Sequence, residues 1–171
     1  MGGILMEYRI LGKTGLKVSL LGFGGIPIQR IDAEGTKALM HQLLDAGINY
    51  IDTARAYTVS EEYLGAALEG RRDRFVIATK SMARTYAAMK ADIEQSLKNL
   101  RTDYIDLYQI HNIRNEDEFA LCFGENGAYR ALAEAKAEGK IRHIGATAHA
   151  PEAFDHDLPC IHLSGAAGGG A

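Results

Sequence analysis

Short apolar segments alternate with amphipathic segments along most of this 171-residue chain, and this alternation restricts the folds available to it. Apolar residues recur at helical spacing after each of the first four apolar segments. Strict alternation of this kind predicts a parallel sheet joined by right-handed helical crossovers. The five segments that we predict as strands lie within residues 19–25, 49–53, 74–80, 103–111 and 140–146.

The length of the chain limits how much of a barrel it can form. A closed (β/α)8 barrel needs about 250 residues, so this chain can supply about five of the eight units. We expect an α/β fold with parallel strands and alternating helices, either an open doubly wound sheet or a partial (β/α)8 TIM barrel. The turn-rich Gly12-Lys13-Thr14-Gly15 predicts a short N-terminal β-hairpin over residues 8–19.

The last residues differ in character from the rest. We assign residues 1–154 to the partial α/β domain and residues 155–171 to an irregular tail, because the chain ends in the low-complexity Gly-Ala-Ala-Gly-Gly-Gly-Ala. We interpret this tail as a truncated or frameshifted terminus. Five barrel strands would leave two open edges, so self-association through those edges is expected.

Composition excludes several classes of partner. The net charge of −3 argues against nucleic acid, which requires a concentrated basic surface. No apolar run is as long as a membrane span. The chain has only two cysteines, Cys122 and Cys160, which fits a reducing compartment. We therefore predict a cytoplasmic protein with neither a nucleic-acid nor a membrane partner.

Polar side chains occur where three of the predicted strands end. Asp52, Lys80 and His111 each follow a mostly apolar segment, and Tyr57 lies five residues beyond Asp52 in a loop. The carboxyl ends of parallel strands meet at one edge of the sheet, where α/β folds place their chemistry. Lysine and aspartate are rarely buried unless they are paired. These positions therefore predict one shared site.

The four side chains together suit the reduction of a carbonyl group. An ammonium beside a phenol favours the phenolate, and Lys80 can act in this way on Tyr57 if Asp52 holds it as an ion pair. Tyr57 would donate a proton to a carbonyl oxygen that is becoming an alkoxide, and His111 would bond to the same oxygen and orient the substrate. Hydride transfer to the carbonyl carbon requires a nicotinamide or a similar cofactor.

Several segments resemble the aldo-keto reductase family. They are GINYIDTARAY at residues 47–57, FVIATKS at 75–81 and IDLYQIHN at 105–112, with RILGKTGLKVSLLGFGG near the N-terminus and EGKIRHIGA at 138–146. The resemblance covers roughly residues 6–150 in order. It implies a (β/α)8 barrel, NADPH or else NADH as cofactor, and a small-molecule aldehyde or ketone as substrate.

The resemblance also implies residue roles. Tyr57 would be the proton donor, Lys80 would ease its ionisation, Asp52 would pair with Lys80, and His111 would orient the carbonyl. The cofactor-binding residues would be Gly24, Gly25 and Ile26 against the nicotinamide ribose, together with Asp52 and Thr147. Many family members have Ser-Asn where this chain has Thr147-Ala148, so the hydroxyl is kept and the amide is lost.

Other interpretations of the same residues remain open. Each of the four polar residues taken singly can have a structural role. Gly22, Gly24 and Gly25 suggest a dinucleotide-binding fingerprint, but Pro27 occupies the position of its third glycine. Lys80 could form a Schiff base, as in an aldolase.

A metal site is not expected. His149, Asp155, His156, Asp157, Cys160 and His162 cluster in the sequence, but their spacing matches no standard zinc pattern. For the whole chain, an inactive remnant or a cofactor-binding subunit without turnover is the alternative to an enzyme.

Overall fold

A computed structural model describes residues 6–148 and the backbone of residues 162–165. The first element is an antiparallel hairpin of strands β1 (Tyr8–Ile10) and β2 (Lys17–Ser19), with Tyr8 opposite Ser19. The predicted N-terminal hairpin is therefore confirmed.

A six-stranded parallel sheet forms the centre of the fold, and its strands are ordered as they occur along the chain. In-order parallel strands joined by helices are the arrangement of a barrel wall rather than of a doubly wound sheet. The expected partial barrel is thereby confirmed. The strands are β3 (Phe23–Gly24), β4 (Tyr50–Asp52), β5 (Val76–Ser81), β6 (Ile105–Ile110), β7 (Ile141–Ala148) and β8 (His162–Gly165).

Helices cover one face of this sheet. Their apolar sides pack on outward-facing strand residues such as Ile77 and Tyr108, which are fully buried in the core with Met89 and Leu132. The helices are α1 (Ala33–Asp45), α2 (Ser60–Ala67), α3 (Tyr86–Asn99), α4 (Glu116–Phe123) and α5 (Ala128–Ala137), with short 3-10 helices at Ile26–Arg30 and Arg72–Arg74. None of the helices in the described part of the chain is long and apolar enough to cross a bilayer.

Two glycines show why the helices end and pack as they do. Gly47 has φ +78° and its N–H donates to Leu44 O at 2.9 Å, which ends α1 as the sequence predicts. Gly65 on α2 lies so close to the end of α3 that a Cβ there would be 2.1 Å from Asn99 O. Only glycine allows these two helices to approach this closely.

The sequence predicts no strand after residue 146, and it leaves residues 115–118 open as either a solvated loop or the start of a helix. Helix α4 begins after Asn115, whose side chain accepts a hydrogen bond from Glu118 N. Strand β8 pairs in parallel with β7, with Gly145 opposite His162, inside the stretch that we expected to be irregular. The remainder of that stretch lies outside the described residues.

Candidate active site

The structure brings the four predicted catalytic side chains to one end of the sheet. Asp52 is the last residue of β4, Lys80 is the penultimate residue of β5, and His111 directly follows β6. Tyr57 lies in the loop between β4 and α2. The parallel register places Asp52 beside Ala78, so Lys80 is one level further along the same face of the sheet.

Lys80 is nearly inaccessible to solvent, with 5% of its surface exposed. Its ammonium donates to Asp52 Oδ1 in an ion pair and to Thr53 O at 2.9 Å. A buried ammonium is stable only when its charge is paired and its protons are bonded. The pairing of Lys80 with Asp52 that the sequence suggested is present.

Gln109 is a member of this group that the sequence analysis missed. Its amide Nε2 donates to Asp52 Oδ2 at 3.3 Å, and its side chain is fully buried. It is also level with Lys80 in the sheet register. Gln109 lies two residues before His111, on the same face of an apolar strand, and this position in the sequence could have identified it as a site residue.

The ring of Tyr57 lies close to both the ammonium and the imidazole. Lys80 Nζ is 5.1 Å from the centre of the Tyr57 ring. The rings of Tyr57 and His111 meet edge to face, with centroids 6.3 Å apart and an interplanar angle of 89°. Phenol, ammonium and imidazole therefore lie near one another at the same end of the sheet.

A second tyrosine near Asp52 is less suited to proton transfer. Burial raises the pKa of the Tyr50 phenol, and the neighbouring Asp52 carboxylate raises that pKa further. Tyr50 therefore keeps its proton over the whole physiological range. Tyr57, in contrast, lies near both Lys80 and His111.

Thr147 supports the loop that carries His111. The backbone N–H of Asn112 donates to Thr147 Oγ1 at 2.8 Å, and that of Ile113 donates to Thr147 O at the same distance. Thr147 Oγ1 accepts a hydrogen bond here, and as a hydroxyl it can also donate one. Thr147 is half-buried at the same end of the sheet, which is compatible with the cofactor contact that we expected.

The glycine turn lies against the end of β4. Gly25 N donates to Asp52 O at 2.7 Å, and a Cβ at Gly25 would be 2.9 Å from Ser60 Oγ. Gly24 is exposed with open space beside it, and Ile26 begins a 3-10 helix with half its surface exposed. This turn therefore presents backbone and an apolar side chain at the edge of the site.

The hydroxyl of Ser60 belongs to this turn. It donates to Gly25 O at 3.1 Å and lies 2.8 Å from Thr53 Oγ1. Ser60 is the first residue of helix α2, and its hydroxyl bonds to groups outside the helix.

The cluster considered as a metal site falls largely outside the described residues. His149, Asp155, His156, Asp157 and Cys160 are not described, and only the backbone of His162 is. Within the described ranges, no group of His, Cys, Asp and Glu side chains could hold a metal ion.

Comparison with known proteins identifies the family. The model of the Aldo/keto reductase family matches residues 20–156, well over half of the chain. This chain belongs to the aldo/keto reductase family.

Among curated proteins, the chain is similar to the uncharacterized oxidoreductase YqkF of Bacillus subtilis, with 34% identity over 85% of this chain and 50% of that protein. It is also 32% identical to L-galactose dehydrogenase of Arabidopsis thaliana, over 90% of this chain and 52% of the enzyme. The chain thus spans about half the length of these relatives.

Solved structures agree with this assignment. The holo form of the aldo-keto reductase AKR11C1 from Bacillus halodurans is 33% identical and superimposes with a TM-score of 0.80. The match covers 93% of this chain and 56% of that structure. The described strands and helices therefore form part of the fold of this family.

Proposed function

We propose that this chain carries the catalytic group of an NAD(P)H-dependent oxidoreductase that reduces an aldehyde or ketone to an alcohol. The observation that supports this proposal is the proximity of the Tyr57 ring to both the Lys80 ammonium and the His111 imidazole. Such a group can bind a carbonyl oxygen and give it a proton.

The proposed roles follow from what each side chain contacts. Tyr57 Oη donates its proton to the carbonyl oxygen as negative charge develops there, and the nearby Lys80 ammonium stabilises the phenolate that remains. Asp52 balances the charge of Lys80 and keeps it in place. His111 donates a hydrogen bond to the same oxygen and thereby fixes the face of the carbonyl that is presented.

A reduced nicotinamide, when bound, supplies the hydride that reaches the carbonyl carbon. The residues present fit its reactive end, because the Gly24-Gly25 turn is open at the edge of the site and Thr147 has a hydroxyl proton to donate there. We propose Gly24, Gly25, Ile26, Asp52 and Thr147 as the contacts of this end. We propose NADPH as the cofactor, with NADH as the alternative.

The substrate class is proposed more narrowly from two relatives with sugar substrates in their names. One is L-galactose dehydrogenase, and the other is 6-dehydroglucose reductase of Novosphingobium aromaticivorans, 32% identical over 81% of this chain. Small polar carbonyl compounds, including sugar aldehydes and keto sugars, are therefore the first candidates. We also propose that the protein acts in the cytoplasm, since its cysteines are few.

A chain that binds cofactor without turnover, or an inactive remnant, is the competing proposal. The chain spans about half the length of the curated relatives that it matches, so cofactor binding and turnover are measured separately. Fluorescence titration with NADPH separates these outcomes, because a binding subunit would give a saturable signal without turnover and a remnant would give none.

NADPH oxidation measured with a broad panel of aldehydes and keto sugars tests the proposed activity. Tyr57→Phe keeps the ring and removes the proton, so turnover is expected to fall by about 10²- to 10⁴-fold while NADPH binding is unchanged. Equal turnover in Tyr57→Phe and the unchanged chain would contradict the proton-donor role.

A further inference from the structure

A buried carboxylate lies behind the site, in the layer between the sheet and the helices. Glu61 on α2 has 1% of its surface exposed, and the reaction proposed above does not use it. Both of its oxygens are fully bonded. Its hydrogen-bond donors are Arg55 Nη1 at 2.8 Å, Thr79 Oγ1 at 2.8 Å, Ser96 Oγ at 2.8 Å and Asn99 Nδ2 at 3.2 Å.

Arg55 connects this carboxylate to the loop of Tyr57. It lies two residues before Tyr57, and its backbone N–H donates to Lys80 O at 2.9 Å. Its guanidinium bonds to Glu61, and its Nε is 3.6 Å from Asp92 Oδ1. Burial opposes the charge of Arg55, but the hydrogen bond that Arg55 donates to Glu61 and the surrounding carboxylates outweigh burial and raise the pKa of Arg55.

Asp92 completes a connection to the strand of Lys80. Its other oxygen accepts a hydrogen bond from Ser81 Oγ, and Ser81 directly follows Lys80 on β5. Glu61, Arg55, Asp92 and Ser81 therefore form one continuous chain of contacts, which we call the rear network. The rear network joins the Tyr57 loop on one side to the Lys80 strand on the other.

The energetics suggest what the rear network contributes. Replacing a buried ion pair with well-packed apolar residues is often neutral or stabilising, so such a pair is weak evidence for stability. Both oxygens of Glu61 are bonded by donors from four residues, so this carboxylate has one favoured geometry, and that geometry fixes the elements that it joins. A loop held in this way cannot move independently of its strand.

We propose that Arg55, held by Glu61 and Asp92, is a positioning residue that sets the Tyr57 ring against Lys80 and His111. Its catalytic consequence rests on the function proposed above, while its structural consequence does not. Without the guanidinium, the loop has fewer constraints and the Tyr57 ring moves away from His111.

The test compares Arg55→Met with Arg72→Met as a matched control. Arg72 forms a similarly buried pair with Asp106 at 2.7 Å, but it lies before β5, at the opposite end of the strands. The structural readout is the nuclear Overhauser effect between the Tyr57 and His111 rings. The signals of the Tyr57 ring are assigned by comparison with the spectrum of Tyr57→Phe. The kinetic readout is kcat and KM with NADPH and the best carbonyl compound.

We expect Arg55→Met to weaken the ring-to-ring signal and to lower kcat by about 10- to 100-fold, with little change in KM for NADPH. Arg55→Lys keeps the charge and is expected to recover part of the ring-to-ring signal and part of kcat. Arg72→Met is expected to change neither quantity. If Arg55→Met does not fold, Asp92→Asn removes one anchor of the guanidinium at a half-exposed position and is measured in the same way.

An Arg55→Met protein with the same ring-to-ring signal as Arg72→Met would overturn the proposal. If the unchanged chain shows no turnover with any carbonyl compound, the proposed function fails and the ring-to-ring comparison alone decides this inference. The two failures are therefore distinguishable.

Discussion

Among single residues, Thr58 has the most unusual backbone near the site. It follows Tyr57 directly and has φ +40°, in the left-handed region. A β-branched residue rarely adopts this conformation, because its Cβ crowds the neighbouring carbonyl. Strain of this kind is often found at functional sites, where the surrounding structure holds it in place. Here the hydrogen bonds of Tyr57 N to Ala54 O and Ser60 N to Tyr57 O fix the turn on both sides.

Relieving this strain should stabilise the protein. Thr58→Gly is expected to raise the free energy of unfolding by about 0.5–1 kcal/mol, because glycine adopts positive φ without steric cost but loses more entropy on folding. Urea denaturation measures the difference. Thr58→Val is the control, since it keeps the branched Cβ and removes only the hydroxyl bond to Gln29 Oε1 at 3.1 Å. An equal gain from both variants would rule out backbone strain as the cause.

The sequence predicts which side chains come together at one end of the sheet where the strand pattern itself exposes an anomaly. Asp52, Lys80 and His111 were found because each interrupts an apolar strand at its end, and Tyr57 because it follows Asp52 closely. Gln109 was missed, since a single amide within a strand resembles a tolerated core residue. The rear network was also missed, because its members come from separate elements and no spacing along the chain relates them.

At the scale of elements, helix α4 shows how a loop around the site is held. Glu118 accepts hydrogen bonds from Arg114 Nε at 2.7 Å and Arg84 Nη2 at 3.0 Å. Arg84 also donates to Asn112 O at 2.8 Å, directly after His111. The side-chain bond from Arg114 lowers the pKa of Glu118 to about 2, with a further contribution from Arg84. These contacts tie α4 to the segment that follows β6.

This lowered pKa makes the stability of the protein depend on pH. Because the pKa of Glu118 is lower in the folded state, its contribution is complete above the ordinary glutamate pKa of about 4.3 and is lost as pH falls toward about 2. Glu118→Gln should therefore destabilise the protein by about 1 kcal/mol near neutral pH, the scale expected of a partly exposed charged group.

Urea denaturation of Glu118→Gln and the unchanged chain, near neutral pH and at about pH 2.5, checks this dependence. The difference between the two proteins should shrink at the lower pH. Glu125→Gln, at an exposed position just beyond α4, is the control. Its difference in stability from the unchanged chain should be the same at both pH values. A Glu118→Gln difference that is equal at both pH values would contradict the linkage.

Strands and helices can be predicted from the sequence where the signal for them lies within a few neighbouring residues. The strands β3 to β7 and the end of α1 at Gly47 followed from apolar runs and from a glycine in the left-handed region. Helix α4 is only eight residues long and begins with three acidic residues, so its sequence resembles a solvated loop. Strand β8 depends on pairing with β7, a long-range contact that no local pattern reveals.

At the scale of the whole molecule, the sheet has two ends among the described residues, β3 and β8. The segment around β3 exposes large apolar side chains, with exposed fractions of 58% for Leu20, 62% for Leu21 and 51% for Ile26. A short strand at the end of the described sheet, beside exposed leucines, favours pairing with another chain. We therefore propose that the chain self-associates at the β3 end of the sheet.

Sedimentation velocity over a wide range of protein concentration tests this proposal. The unchanged chain should show a sedimentation coefficient that rises with concentration, and Leu21→Lys should shift this rise to higher concentration, because a charged residue at a sheet edge opposes pairing. Leu121→Lys is the matched control, since Leu121 is 49% exposed but lies on α4, away from β3. Because Leu21 and Leu121 differ mainly in their distance from the sheet end, an equal effect of the two substitutions would point to general hydrophobic association and against pairing at β3.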